Sequence, residues 1–259
     1  MHLKSLSVTI QATGDRPPPN QTAKSDVQSS WLAEVVPLAS PRQRVLAHRA
    51  RSSSQRQLGT TRVFDVIGAL AALVVFLPVI AAVLLVVKAT SRGPAFFVQQ
   101  RVGRNGRPFD CLKFRTMRVG ADAELSDMLK SDPELRAVFA EGYKLPEDPR
   151  ITKVGRLLRS LSLDELPQII NVLRGDMSLV GPRPVVPEEL WRYGDRGEIV
   201  LMVRPGMTGP WQVGGRNDIS YDERIELDTD YALSRTLRLD ISILFRTATS
   251  MVGGFRGAY

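Results

Sequence analysis

Between Asp65 and Lys88 the chain runs for 22 residues, 66–87, without a single charge. At about 1.5 Å of rise per residue, a helix of that length spans roughly 33 Å, enough to cross the hydrocarbon core of a bilayer. The alternative is a buried helix of a soluble core, but such helices rarely keep so long an uncharged apolar run. Pro78 stands at the middle of it. A proline there deletes a backbone hydrogen bond and clashes with the preceding turn, so a kink or break is expected. A helix broken at mid-depth can turn back instead of crossing, with both termini then facing the cytoplasm. The residues alone leave both topologies open.

The flanking charge orients the run. Residues 1–62 hold nine Lys/Arg against three acids, and from Arg42 to Arg62 there are six arginines and no acid. Arginines before the apolar run favour the cytoplasmic side for that end. Residues 1–60 are rich in Pro, Gln, Ser and Thr and read as a disordered basic tail, with a short amphipathic piece near Trp31–Leu38. Residues 61–91 follow as the membrane helix and 92–259 as the catalytic domain. No apolar run lies at the extreme N-terminus, so a secretory signal is not expected.

Past Lys88 the pattern changes. Two β-prone runs, Ala95–Val102 and Phe109–Phe114, flank Gly103-Arg104-Asn105-Gly106-Arg107, a hairpin signal because Asn and Gly accept positive φ. Helical spacing follows over Ala121–Ala140, interrupted at Asp132-Pro133, then over Ile151–Ser160 and Leu166–Leu173. Residues 185–220 read as irregular. Tyr221–Ser234 and Leu239–Val252 read as amphipathic helices. The expected fold is α+β and helix-rich: a membrane-associated domain with a β-hairpin, a Pro-broken membrane helix and interfacial amphipathic helices.

Few residues are available for chemistry. The two histidines, His2 and His48, lie in the tail, and Cys111 is the only cysteine. A Ser/His/Asp triad or a Cys/His zinc site cannot be assembled in the body of the protein. Catalysis, if present, rests on carboxylates. The candidate pair is Asp164-Glu165 within Ser162-Leu163-Asp164-Glu165-Leu166-Pro167-Gln168. Adjacent residues on a helix diverge by about 100°, so the two acids take different roles. Ser162 with Glu165 also fits a capping box, and Pro167 fits a first helical position. Either places the acids in a first turn, where the helix dipole favours anions, and plain capping explains them about as well as catalysis does. Lys153, Arg156, Arg159, Arg174 and Arg183 lie close by in sequence, as a phosphate-handling site requires. In Gly181-Pro182-Arg183-Pro184 two prolines stiffen the backbone on either side of Arg183 and pre-aim it, where a plain rigid turn is the alternative. Lys113 and Arg115, two residues apart, are expected on one strand face, either binding phosphate or simply solvated.

These motifs resemble the bacterial sugar transferases, the monotopic phosphoglycosyl transferases that start exopolysaccharide and O-antigen synthesis. The likeness runs through Phe96–Gly103, Lys113–Met117, Asp148–Thr152, Ser162–Gln168, Gly175–Pro184, Arg204–Gly209 and Gly215–Asn217, over about residues 62–259. Within the family the galactosyl-phosphate transferases of exopolysaccharide synthesis look most similar. The resemblance implies a UDP-sugar donor, an undecaprenyl phosphate acceptor and release of UMP. It also implies Mg²⁺, attack by Asp164 on the sugar-bearing phosphate, and a metal or second-step role for Glu165. Lys113, Arg115, Arg159, Arg183 and Arg216 are the expected substrate contacts, and Pro78 the expected break of a re-entrant helix. Trp211 suits either a membrane interface or a core. The implied location is the cytoplasmic face of a bacterial inner membrane, with lipid and other polysaccharide-assembly enzymes as neighbours.

Two other readings of the residues stand beside this one. Asp228-Thr229-Asp230 resembles the metal-binding Asp-x-Asp of nucleotide-sugar glycosyltransferases, with Asp240 as a further candidate, although a charged helical stretch explains it. A membrane-anchored adaptor with its arginines on anionic lipid has no need of the acid pair. Nucleic acid is not expected as a partner, because the basic excess lies in the tail with no aromatic platform.

Overall fold

The computed structural model describes residues 41–142, 145, 147–214 and 219–252. The first 40 residues, including the Trp31–Leu38 piece, and the 215–218 loop lie outside them. Helix α1 (Pro41–Thr90) is 50 residues long. Residues 41–60 are therefore helical, not part of a disordered tail. Pro41 suits a first helical position, and the Arg, Gln, Leu and Ala that follow are good helix formers. Nor does the helix break at Pro78, since helical backbone continues through it to Thr90. One stripe of the helix packs on the domain on both sides of the proline, through Ala69, Ala72 and Phe76 before it and Ile80, Val83 and Val87 after it. That packing offsets the roughly 3 kcal/mol that an interior proline costs. The other faces are apolar and bare: Val63, Ile67, Leu70, Val74, Val75 and Leu85 are all exposed. The stretch Gly59–Thr90 is long and apolar enough to cross a membrane, and membrane association fits it.

The hairpin forms as expected. Strand β1 (Phe96–Val102) pairs antiparallel with β2 (Pro108–Phe114), Phe96 opposite Phe114 and Val102 opposite Pro108. Asn105 (φ 56°) and Gly106 (φ 74°) take the left-handed turn between them. Helices α2 (Ala121–Ser131) and α3 (Pro133–Gly142) are divided by Asp132, whose Oδ1 caps α3 by accepting from the amides of Glu134 and Leu135. Helix α4 (Lys153–Ser160) starts at Thr152, whose hydroxyl accepts from Gly155 N. Helix α5 (Gln168–Arg174) follows the acid pair.

The 185–220 stretch is more ordered than its composition suggests. It carries a 3₁₀ helix, Pro187–Arg196, then α6 (Gly197–Val200), β4 (Gly206–Thr208) and α7 (Pro210–Gly214). Strand β4 pairs in parallel with β3 (Ser178–Val180). Strands of three residues carry too little alternation to be read from sequence. Helices α8 (Tyr221–Ser234) and α9 (Leu237–Val252) close the chain.

Two buried polar networks hold these pieces together. Asp65 of α1 accepts from the Ser178 hydroxyl and the Leu179 amide; Arg235 donates to Ser178 and pairs with Asp240 at 3.1 Å, which Tyr231 also reaches at 2.6 Å. This network joins α1 to β3, α8 and α9. The second is centred on Asn171 of α5, which is 0% exposed. Its Oδ1 accepts from Leu112 N at 3.0 Å, and its Nδ2 donates to Asp110 O at 2.7 Å. The side chain thus satisfies the free edge of β2 and locks the hairpin to α5. Asn171→Ala leaves both backbone groups without partners, and its expected cost is about 2–4 kcal/mol of stability, measured as a lowered midpoint of thermal or urea unfolding.

Candidate active site

Asp164 and Glu165 occupy a single 3₁₀ turn, Leu163–Glu165, between α4 and α5. The expected capping geometry is absent. Ser162 is left-handed (φ 55°) and makes no side-chain capping bond, while Pro167 is the residue before α5 and not its first. The turn is a connector held by its neighbours, so plain capping does not account for the acids.

The hairpin supplies the cations. Residues opposite one another in an antiparallel pair project to the same face. Because Arg101 pairs with Phe109 and Gln99 with Cys111, that face carries Arg101, Cys111 and Lys113 together. Lys113 Nζ reaches Glu165 Oε1 at 2.7 Å. Arg115 lies one residue past β2, where its amide still donates to Ala95 O at 2.8 Å, so it starts from the same face as Lys113; it is buried and donates to the carbonyl and hydroxyl of Ser91, tying the exit of α1 to the hairpin. The face expected to carry Lys113 and Arg115 carries Arg101 as well. In the sequence Arg101 stands only within the Phe96–Gly103 motif, and strand pairing is the signal that brings it to the site.

The proline loop is pinned by close backbone contact. Gly181 N donates to Thr208 O at 2.9 Å, and Gly206 N to Pro182 O at 2.8 Å. A Cβ on Gly206 would sit 2.0 Å from Gly181 N, so no side chain fits at that crossing. Arg101 also donates to Pro184 O at 3.0 Å, fastening the loop to β1. Arg183 thereby lines the same pocket as Arg101, Lys113, Glu165, Gln168 and Gln212. Its guanidinium lies over Trp211, which is buried in the domain. Arg159, in the last turn of α4, donates to Thr116 Oγ1 at 2.9 Å, and its charge acts on Asp164. Arg216 lies outside the described residues.

Burial and charge set the two acids apart. Asp164 is 8% exposed. Burial, then the neighbouring Glu165 charge, raise its carboxyl to about 6, against the opposing pull of Lys113 and Arg159. Burial pushes Glu165 upward too, but Lys113, Arg183 and Arg101 outweigh it and hold Glu165 at about 2. One acid is a salt-bridged anion and its neighbour a desolvated carboxyl, the separation of roles expected of a working pair. Cys111 is buried and its thiol is pushed up, which suits packing better than nucleophilic attack.

The rival acids do not form a site. Asp228 faces inward on α8 with no exposed surface, beside the Tyr193 hydroxyl, and burial raises it to about 8. Asp230 is exposed on the opposite side, because residues two apart on a helix diverge. Asp240 belongs to the Arg235 network. Among the described residues no three His, Cys, Asp or Glu side chains converge.

A buried and a half-buried carboxylate flanked by strand and loop cations make a site whose chemistry suits phosphate. The family model described as bacterial sugar transferase matches residues 56–254. The chain belongs to this family. It is 50% identical over 188 residues to the undecaprenyl-phosphate galactose phosphotransferase of Salmonella typhimurium, covering 72% of this chain and 39% of that protein. It is 46% identical over 198 residues to the exopolysaccharide production protein ExoY of Sinorhizobium fredii, covering 76% and 87%. A UDP-glucose:undecaprenyl-phosphate glucose-1-phosphate transferase of Caulobacter vibrioides is 35% identical over 263 residues, covering 89% and 90%. The chain spans about four-tenths of the length of the Salmonella relative and of a Haemophilus influenzae sugar transferase.

Folded Asp164 binds its proton more tightly than the unfolded chain does, so between about pH 4 and 6 this group makes stability fall as pH rises. Asp164→Asn removes that loss. In metal-free buffer the variant should be more stable than the parent by about 1–3 kcal/mol near pH 7.5, a difference that vanishes near pH 4 in thermal unfolding.

Proposed function

We propose that the chain transfers a sugar 1-phosphate from UDP-galactose or UDP-glucose to undecaprenyl phosphate, releasing UMP, as the first step of exopolysaccharide assembly. The observation that carries this reading is the buried Asp164 beside a Glu165 held ionised by Lys113. A carboxylate is a competent nucleophile at neutral pH, and an aspartyl phosphate divides one hard displacement into two easier ones. In the first, an Asp164 oxygen bonds to the sugar-bearing phosphorus and the bridging oxygen departs with its electron pair as UMP. In the second, an oxygen of undecaprenyl phosphate attacks the same phosphorus and the Asp164 carboxylate leaves.

The surrounding residues fit that sequence. With a carboxyl at about 6, Asp164 is mostly ionised above neutrality yet poorly solvated, which favours attack. Lys113, Arg101, Arg159 and Arg183 stand where charge on the phosphoryl oxygens and the departing UMP needs stabilising. Arg183 offers a planar fork on a stiffened loop, so it costs little reorganisation. Glu165 aims Lys113 and excludes a second neutral acid.

The donor set also fits Mg²⁺, which commonly takes one or two carboxylates and completes its shell with substrate phosphates and water. Asp164 and Glu165 are two adjacent hard-oxygen donors, and a cation near them would relieve the Glu165 repulsion that raises Asp164. When bound, the ion supplies charge neutralisation for the diphosphate.

The bare apolar faces of α1 support a site at a bilayer surface, where a polyprenyl headgroup is presented. Both ends of the apolar stretch are tied to the domain, Arg62 to carbonyls of α5 and Ser91 to Arg115. With the backbone helical through Pro78, that supports a helix lying along one leaflet with both ends on the cytoplasmic face, and other assembly enzymes acting on the lipid-linked product. The purified protein with UDP-sugar, undecaprenyl phosphate and Mg²⁺ is expected to release UMP. Asp164→Asn should lower the rate at least about 1,000-fold, and Arg183→Lys about 10- to 100-fold. Release of UDP in place of UMP, or an active Asp164→Asn, rejects the mechanism. A panel of UDP-sugars in the same assay identifies the donor.

A further inference from the structure

At the C-terminal end of α5, opposite the acid pair, four arginines gather from three parts of the chain. Arg62 donates to the carbonyls of Val172 and Leu173, and Arg204 to that of Gly175 at 2.8 Å. A Cβ on Gly175 would lie 3.6 Å from the Arg62 guanidinium, so Arg62 and Arg204 flank the same residue. Arg104, at the hairpin tip, donates to Met202 O at 2.9 Å. Arg107 stands beside it and is exposed. Burial and mutual repulsion lower two of these groups: Arg204 is pushed down by Arg104 and Arg62, and Arg104 by Arg235 and Arg107.

This cluster is electrostatically incomplete. Among the described residues none of the four forms an ion pair with a carboxylate. Asp65 eases Arg204, but its oxygens are engaged by Ser178 and Leu179. The α5 dipole contributes roughly half a negative charge at that end, far short of four cations. Arg62, Arg104 and Arg204 remain partly open to solvent. An anion with several oxygens completes such a cluster, since guanidinium forks match phosphate geometry.

The position says which anion. Arg62 immediately precedes Val63 and Ile67, the first of the bare apolar side chains of α1, 60% and 63% exposed. A phosphate at Arg62 therefore sits where headgroups meet acyl chains if α1 lies in a bilayer. We propose that Arg62, Arg104, Arg107 and Arg204 form a headgroup site for an anionic phospholipid, separate from the catalytic pocket. It rests on the membrane reading of α1 and not on the transferase chemistry. Its consequence is orientation: a lipid phosphate clamped between α1, the hairpin tip and the 201–205 loop fixes the height of the domain above the bilayer.

Thermal unfolding in a neutral detergent tests this, with phosphatidylglycerol, phosphatidylcholine or inorganic phosphate added at equal concentration. Phosphatidylglycerol should raise the midpoint by about 3–6 °C, and the other two by much less. The double variant Arg104→Gln/Arg204→Gln should lose most of that rise, each protein being compared with its own lipid-free midpoint. If the double variant does not fold, Arg107→Gln, at an exposed position, should lose a measurable part. Asp164→Asn should keep the full rise, so failure of the transferase mechanism and failure of this site are read separately. An undiminished rise in the arginine variants, an equal rise with phosphatidylcholine, or an equal rise with inorganic phosphate alone overturns the proposal.

Discussion

A two-stranded hairpin has two open edges, and its isolated stability in water is marginal. Here one edge is closed by a single side chain. Asn171 offers the amide hydrogen and carbonyl that a third strand would present, to Leu112 N and Asp110 O. The effect reaches the site because of where each partner leads. Asp110 and Leu112 flank Cys111 on the strand that carries Lys113. Asn171 sits one helical turn after the segment that carries Asp164 and Glu165. The 2.7 Å contact between Lys113 and Glu165 joins two distant parts of the chain, and its geometry follows from this docking.

From that contact the electrostatics unfold in order. Lys113, with Arg183 and Arg101, keeps Glu165 ionised. The Glu165 charge, added to burial, then raises Asp164. Neither acid has this character alone. The Asp65–Ser178–Arg235–Asp240 network plays a parallel part for α1, fixing the apolar helix to β3, α8 and α9. Buried ion pairs contribute little net stability, but removing one partner is costly, so such networks select one arrangement of the helices over others.

Much of this was legible in the sequence where a local signal was strong. The uncharged run, the Asn105-Gly106 turn, the Asp132-Pro133 division and the Tyr221–Ser234 helix are each dictated by residues within a few positions. The acid pair and the proline loop were legible for another reason: no other nucleophile was available, and their motifs stand in a recognisable order. What escaped depends on contacts between distant segments. Arg101 became visible only through strand pairing, Asn171 only through its docking on β2, and β3–β4 only because Gly181 and Gly206 let two backbones meet. The break expected at Pro78 failed because tertiary packing overrode it: the α1 stripe carries the helix through the proline. The Ser91 contact of Arg115 likewise depends on a distant segment.

The central claim is that Asp164 itself carries the phosphosugar. Intact-protein mass spectrometry after mixing the enzyme with UDP-sugar and Mg²⁺, without acceptor, tests it most directly. The account predicts one equivalent of UMP and an adduct of one sugar phosphate on Asp164, which disappears when undecaprenyl phosphate is added. An enzyme that turns over normally with acceptor, yet releases no UMP and gains no mass without it, contradicts the account.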